Sequence, residues 1–428
     1  MSEATIALIV ILFVLLFSST PIAIALGLTS FIYFFYFTTI PLTQVPERLF
    51  NALNTFPLMA IPFFVLAANI MSRGGISRRL TDFGQALVGQ FRGGMAMTAV
   101  LACMFFAAVS GSSPATVVAV GTLMIPAMIA GGYSKKFSTG LIATSGSLGI
   151  LIPPSIPLIV YGIATESNIG DLFLAGILPG VMAGLMLLLL AVVISRRHNY
   201  GQQGDVRMST SQKWLAFRDA ILSLLLPVIV LGGIYGGIFT PTEAAAAAVL
   251  YSAVVSLLIY RELRFADLWG VVMGSAKTSA MVMFIIANGI LFTFVLASER
   301  IPAQITEGML ALGLSKWEFL LLVNLLLLVV GMFMETSSAL LILAPILLPI
   351  GMDLGVNPIH LGIIMVMNLE IGMVTPPLGL NLFVASGLSG MSVLQIARAA
   401  LPSAVVLIVA LFIVTYVPAI SLTLIGGG

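Results

Sequence analysis

Glu335-Thr336-Ser337-Ser338, followed further along by Gly372-Met373-Val374-Thr375-Pro376-Pro377, restates a pattern written earlier as Ser110-Gly111-Ser112-Ser113-Pro114 and Gly149-Ile150-Leu151-Ile152-Pro153-Pro154. Each polar tip and each Pro-Pro pair interrupts a long apolar stretch. Proline has no N–H, so it leaves an upstream carbonyl unpaired. At membrane depth, unpaired backbone is tolerated only inside protein or beside a water-filled cavity. Paired broken segments in two halves of a hydrophobic chain therefore point to the binding site of a secondary transporter.

Composition agrees. Of 428 residues, 60% are hydrophobic and 8% charged, against about 25% charged in soluble domains. The charges cluster between apolar runs of the ~20 residues that cross a ~30 Å hydrocarbon core. Cys103 is the only cysteine, which excludes an intramolecular disulfide and a cysteine metal cluster. The first apolar run has only Glu3 before it and continues through Pro21 into a second run, so it reads as a span, not a cleaved signal.

With the N-terminus outside, spans fall at 4–19, 21–37, 57–72, 172–195, 220–239, 242–260, 276–298 and 399–423, with broken spans at 137–163 and 358–388. Of the 18 Lys and Arg, all but Arg48, Lys277, Arg300 and Lys316 then lie in internal segments, as the positive-inside rule requires. An odd number of crossings per half turns the second half upside down relative to the first. The expected fold is an all-α polytopic membrane protein, an inverted repeat with about five spans and one re-entrant hairpin in each half. Residues 93–130 and 317–352 are the hairpins. Two full spans with a tight loop would leave the charge count unchanged, but each first-half arm is marginal in length for a crossing. Amphipathic stretches precede both hairpins, at 77–91 and 299–314, and two others correspond at 43–55 and 262–273. They are either interfacial connectors or horizontal arms between a fixed and a moving part.

With these motifs and the run Glu370-Ile371-Gly372-Met373-Val374-Thr375-Pro376-Pro377-Leu378-Gly379-Leu380-Asn381-Leu382-Phe383, the chain resembles a known family over nearly its whole length. It is similar to the large membrane subunit (DctM/SiaM type) of tripartite ATP-independent periplasmic (TRAP) transporters. The resemblance implies an ion-transporter-superfamily fold of elevator type. It implies sodium-driven import of an organic acid anion across the bacterial inner membrane, with two or more Na+ per cycle. Its partners would be a periplasmic substrate-binding protein and a small four-helix membrane subunit. Because the chain starts at the first span, that small subunit is expected to be a separate polypeptide.

The implied division is scaffold 1–72, cytoplasmic arm 73–92, transport half 93–195, linker 196–219, scaffold 220–298, external arm 299–315 and transport half 316–428. Substrates in such a family include C4-dicarboxylates, sialic acids and keto acids, and the sequence reading leans to a sialic or sugar acid. The lipid bilayer is the surrounding partner, and no nucleic acid is expected.

Sodium needs oxygens rather than a titratable relay. Ser110, Ser112 and Ser113 with Ser147, Gly149 and Pro153 make one candidate cage; Thr336, Ser337 and Ser338 with Gly372, Thr375 and Pro376 make the other. Small packing residues at helix contacts are the bland alternative. An anionic substrate would sit between the tips near helix N-termini, within reach of Ser113, Pro154, Ser155, Tyr161, Ser338, Pro377 and Asn381. Glu335 and Glu370 are the acids nearest the expected core, and a charged acid at mid-bilayer implies a partner or a function. They would couple protons, bind sodium or form structural pairs. His198 falls in the linker and His360 at the start of a span, so no histidine is expected in the core. Sodium is therefore preferred to protons. An enzyme is not expected, since the chain has no His-Glu-x-x-His, no Gly-x-Ser-x-Gly with a partner histidine and no cysteine pair. A channel remains a rival, as does a related carboxylate symporter that works without a binding protein.

Overall fold

The computed structural model describes residues 3–18, 20–38, 40–200, 208–301, 303, 304, 307, 313–377 and 379–426. Within them every regular element is helical. Eight helices are long and apolar enough to cross a membrane, or nine if the bent pair Lys135–Leu151 and Ile156–Thr165 is one span. Helices are what such a sequence must form, because lipid offers no partner for backbone N–H and C=O. Capping boxes start four of them, at Ser209/Gln212, Thr240/Glu243, Ser315/Glu318 and Ser392/Gln395.

One group of helices contains α1 (Glu3–Phe17), α2 (Ile22–Tyr36), α3 (Gln44–Leu53), α4 (Ala60–Arg73), α12 (Thr210–Tyr235), α13 (Pro241–Val254) and α14 (Phe265–Ser298). In it, α4 lies along α13, and α14 packs on α2, α3 and α4. The helix α5 (Ile76–Val88) bridges α12 and the first hairpin. That hairpin is α6 (Gly94–Ser110) and α7 (Ser113–Ala130). The broken span after it is α8 (Lys135–Ser145), α9 (Leu148–Leu151) and α10 (Ile156–Thr165), and α11 (Ile169–Arg197) completes the half. The second half supplies α15 (Lys316–Gly331) and α16 (Thr336–Asp353), then α17 (Pro358–Gly372), α18 (Leu380–Ser389), α19 (Val393–Tyr416) and α20 (Ala419–Leu422). These halves interleave: α10 packs on α16, α7 on α18 and α8 on α19.

Three expectations shift. The amphipathic stretch 262–273 is no separate arm, because α14 runs unbroken from Phe265 to Ser298. Its counterpart α3 ends at Leu53, and Pro57 follows in the break before α4. A proline restricts the residue before it and ends helices there; none lies between Phe265 and Ser298. Second, α12 begins at Thr210, inside the stretch read as linker. The Ser209/Gln212 capping box is the signal that marks it, and Phe217 then packs on Phe83 of α5. Third, His360 is buried. The linker's Arg207, eight of the seventeen external-arm residues including Pro302, and Leu378 lie outside the described residues.

Candidate functional site

The first tip forms because Gly111 takes a left-handed conformation (φ 60°), ending α6, and Ser112 is extended ahead of α7. Only a residue without Cβ adopts that φ at no steric cost, and a Cβ there would also meet the Pro154 carbonyl oxygen at 2.8 Å. The Gly111 carbonyl accepts the Ile156 N–H (3.3 Å), which docks the tip on the start of α10. Ser110 Oγ and Thr116 Oγ1 lie 2.9 Å apart, and Thr116 donates to the Ser112 carbonyl (2.9 Å). Gly149 closes the cage from the other side: a Cβ on it would meet Thr116 Oγ1 at 2.5 Å and the Ser112 carbonyl oxygen at 2.8 Å. Thr116 was missing from the sequence-based set. It lies four residues after Ser112, the spacing at which a helical Thr bonds back to a carbonyl.

The second tip is built on an acid. Glu335 caps α16, accepting from Ser338 N (3.1 Å), Ser338 Oγ (3.3 Å) and Ser337 Oγ (2.9 Å). A carboxylate at a helix N-terminus is favoured by the helix dipole and by free N–H groups. It takes the position where a substrate anion was expected. Thr336 donates to the Met373 thioether (3.1 Å), and Thr375 to the Ile371 carbonyl (2.8 Å). Gly372 lies against Gly331 of α15, with no room between the two backbones for a Cβ.

The two halves meet at Asn381. Its amide group bonds to Ser113 Oγ, to Ser147 Oγ (3.3 Å) and to Glu370 Oε1 (3.2 Å). All four residues are buried, and among the described residues Glu370 Oε2 and Asn381 Oδ1 have no hydrogen-bond partner. Among the described residues the ion pairs are Arg78–Glu262 and Arg79–Glu262, so Glu370 has no cationic side chain beside it.

Gly111, Ser112 and Pro114 of the first tip and Glu335, Ser337 and Ser338 of the second line one cleft of about 610 Å³. Its opposite wall is α2 and α14, from Pro21 to Ile24 and around Thr278 and Met281. The apolar wall carried no polar signal in the sequence. Other predicted residues lie off the cleft. Tyr161 is buried and donates to the Pro358 carbonyl (2.7 Å), while Ser155 caps α10 by accepting from Leu158 N (3.4 Å). Both Pro153–Pro154 and Pro376–Pro377 are cis. Pro153 and Pro154 are buried; Pro376 is half-buried and Pro377 exposed.

Sequence reasoning also missed a buried polar chain. His360 Nδ1 is 2.7 Å from Ser421 Oγ, and its Nε2 is 3.3 Å from the Thr415 carbonyl oxygen. Asn324 donates to Thr415 Oγ1 (3.0 Å), and Asn368 donates to Asn324 Oδ1 (2.7 Å). His360 and Asn368 are eight apart on α17, two helical repeats of four, and so share a face. The C-terminal segment that covers His360 is remote in sequence.

Comparisons with known proteins agree with this architecture. The family described as "Tripartite ATP-independent periplasmic transporter, DctM component" matches residues 9–420. The C4-dicarboxylate TRAP transporter large permease protein DctM of Pseudomonas aeruginosa is 50% identical over 401 residues, covering 94% of this chain and 93% of that protein. The protein of the same name from Vibrio cholerae is 49% identical over 422 residues, again covering 94% and 93%. In fold, the chain is similar to the crystal structure of the Alcanivorax borkumensis YdaH transporter (TM-score 0.67, 16% identity, 99% of this chain and 100% of that one). Two tips, two Pro-Pro breaks and a shared cleft in a polytopic helical protein thus coincide with a family match over nearly the whole length: the chain belongs to the DctM family, the large permease component of TRAP transporters.

Proposed function

We propose that this permease imports a C4-dicarboxylate-class anion across the bacterial inner membrane, coupled to Na+, by an elevator displacement of residues 93–195 and 316–428 against the scaffold. A periplasmic binding protein would deliver the substrate, and a small membrane subunit would complete the complex. The observation that carries the reading is the convergence of both polar tips on one cleft bounded by α2 and α14. The substrate class follows the names of the similar permeases and replaces the lean toward a sialic or sugar acid.

Sodium coupling rests on donor chemistry. Ser110, Ser112 and Thr116 present hydroxyl and carbonyl oxygen close together at one tip, a donor type suited to hard cations. The elevator reading rests on backbone energetics. Separating the tips from their breaks would expose unpaired groups to lipid at several kcal/mol each, whereas a rigid displacement keeps them paired. A second reading, proton coupling, is favoured by the buried Glu370 and His360.

Uptake into proteoliposomes separates these readings. With the small subunit and binding protein present, C4-dicarboxylate uptake is expected to require an inward sodium gradient and to depend sigmoidally on sodium. Full uptake on a proton gradient alone, in sodium-free buffer, would select the proton reading. Equal uptake without the binding protein would select a lone symporter.

A further inference from the structure

A second cavity, of about 690 Å³, opens between helices of both transport halves, away from the tips. Lys136 at the start of α8, Arg197 and His198 at the end of α11, and Arg398 near the start of α19 line it. All lie in segments that charge counting places inside, and no acidic residue is among the lining. The ion pairs among the described residues involve none of these basic groups. The basic groups stand on a built aromatic base. The His198 ring stacks on Tyr200 (centroids 5.4 Å apart), and Tyr200 packs against Tyr133 and Phe137. Asn199, with φ 52°, turns the chain back so that Tyr200 N reaches the Ser195 carbonyl (2.9 Å).

The cavity does not stop at the charges. Leu190, Val193 and Ile194 of α11 form its apolar side. At 1.5 Å rise per residue, Leu189 lies about 12 Å along the helix from Arg197, within the depth of one leaflet of a ~30 Å core. Leu185, Leu189 and Val193 are each more than half exposed.

We propose that this cavity binds an anionic phospholipid of the inner leaflet, with its phosphate held by Lys136, Arg197 and Arg398 and its acyl chains along Leu190, Val193 and Ile194 of α11. Charge complementarity selects the headgroup, since basic pockets between spanning helices on the cytoplasmic side suit anionic lipid phosphates. The apolar side of the cavity, flanked on the same helix by the exposed Leu189 and Val193, selects a lipid over a free phosphate or carboxylate. A lipid seated there bridges α8 and α11 of one half and α19 of the other.

Native mass spectrometry and thermal shift on the purified full-length permease in micelles test this. Cardiolipin or phosphatidylglycerol is expected to bind and raise Tm, while phosphatidylethanolamine and inorganic phosphate leave it in place. Arg197→Gln with Arg398→Gln is expected to weaken cardiolipin binding roughly thirtyfold, from about fivefold per basic charge. Arg92→Gln with Arg264→Gln, exposed charges outside the cavity, is expected to leave binding unchanged. If the first double variant does not fold, Lys136→Gln carries the same test with a loss of about fivefold. Equal binding of phosphatidylethanolamine, equal stabilisation by phosphate alone, an equal loss in the Arg92/Arg264 variant, or displacement of the lipid by a second permease copy would overturn the proposal.

Discussion

The two tips follow one plan and differ in charge and closure. The first is neutral and its break is shut: Ser112 and Pro114 are half-buried at the cleft, Ser110, Thr116 and the Ser112 carbonyl satisfy one another, and residues 149–155 behind them are all buried. The second is acidic and its break is open. Glu335 is half-buried at the cleft, Thr375 and Pro376 are half-buried, and Pro377 is exposed. A carboxylate is costly to bury unpaired, so Glu335 keeps three donors and partial access to the cleft. The second hairpin also leans directly on the proposed scaffold, where Thr293 of α14 donates to the Leu341 carbonyl (3.3 Å). The first rests on α5, with Gly84 packed on Thr98 and Leu101. The comparison teaches that an inverted repeat need not give equivalent tips.

The largest expected effect breaks the contact of the second hairpin with the proposed scaffold. A Cβ on Gly289 would lie 3.0 Å from Leu341 Cβ, a little inside the roughly 3.5–4.5 Å that a disulfide spans between Cβ atoms. Oxidising Gly289→Cys with Leu341→Cys is expected to abolish uptake, and reduction to restore it. Undiminished uptake at confirmed cross-link yield would remove the elevator reading.

An intermediate effect compares the tips. Glu335→Gln removes a charged acceptor, and hydrogen bonds to charged groups contribute about 1.5–3 kcal/mol, against about 0.5–1.5 kcal/mol for neutral ones. Its half-saturating sodium concentration is therefore expected to rise more than that of Ser112→Ala, measured in the same proteoliposomes. The reverse order would place the dominant ion site at the first tip.

The smallest effect compares the breaks. Ser155 caps α10, so Ser155→Ala is expected to lower stability by about 1 kcal/mol. Thr375 Oγ1 donates to a carbonyl four residues before it, so Thr375→Ala is expected to change the thermal midpoint less. Equal shifts would mean that both breaks are held alike.

The tips and breaks were legible because Ser-rich and Pro-Pro interruptions stand out against a hydrophobic run that has no other need of them. Ser112, Ser113, Ser337 and Ser338 all fall at helix starts. Thr116 was legible in principle from its spacing to Ser112. The apolar wall at Pro21–Ile24 and Met281 was not, since an apolar residue facing a cleft reads like one facing lipid. The burial of His360 was hidden for a different reason: its partners Thr415 and Ser421 are remote in sequence.

By itself, the sequence determined that this chain is helical, membrane-spanning and internally repeated. Hydropathy, the positive-inside charge bias and backbone satisfaction in lipid act locally along the chain, so their record is linear. Tertiary structure alone decided that Asn381 and Glu370 of one half would meet Ser113 and Ser147 of the other. It also decided that Tyr161 would turn to Pro358 instead of the cleft. Those contacts join segments hundreds of residues apart, and the packing of interleaved helices, not local propensity, sets which side chains they bring together.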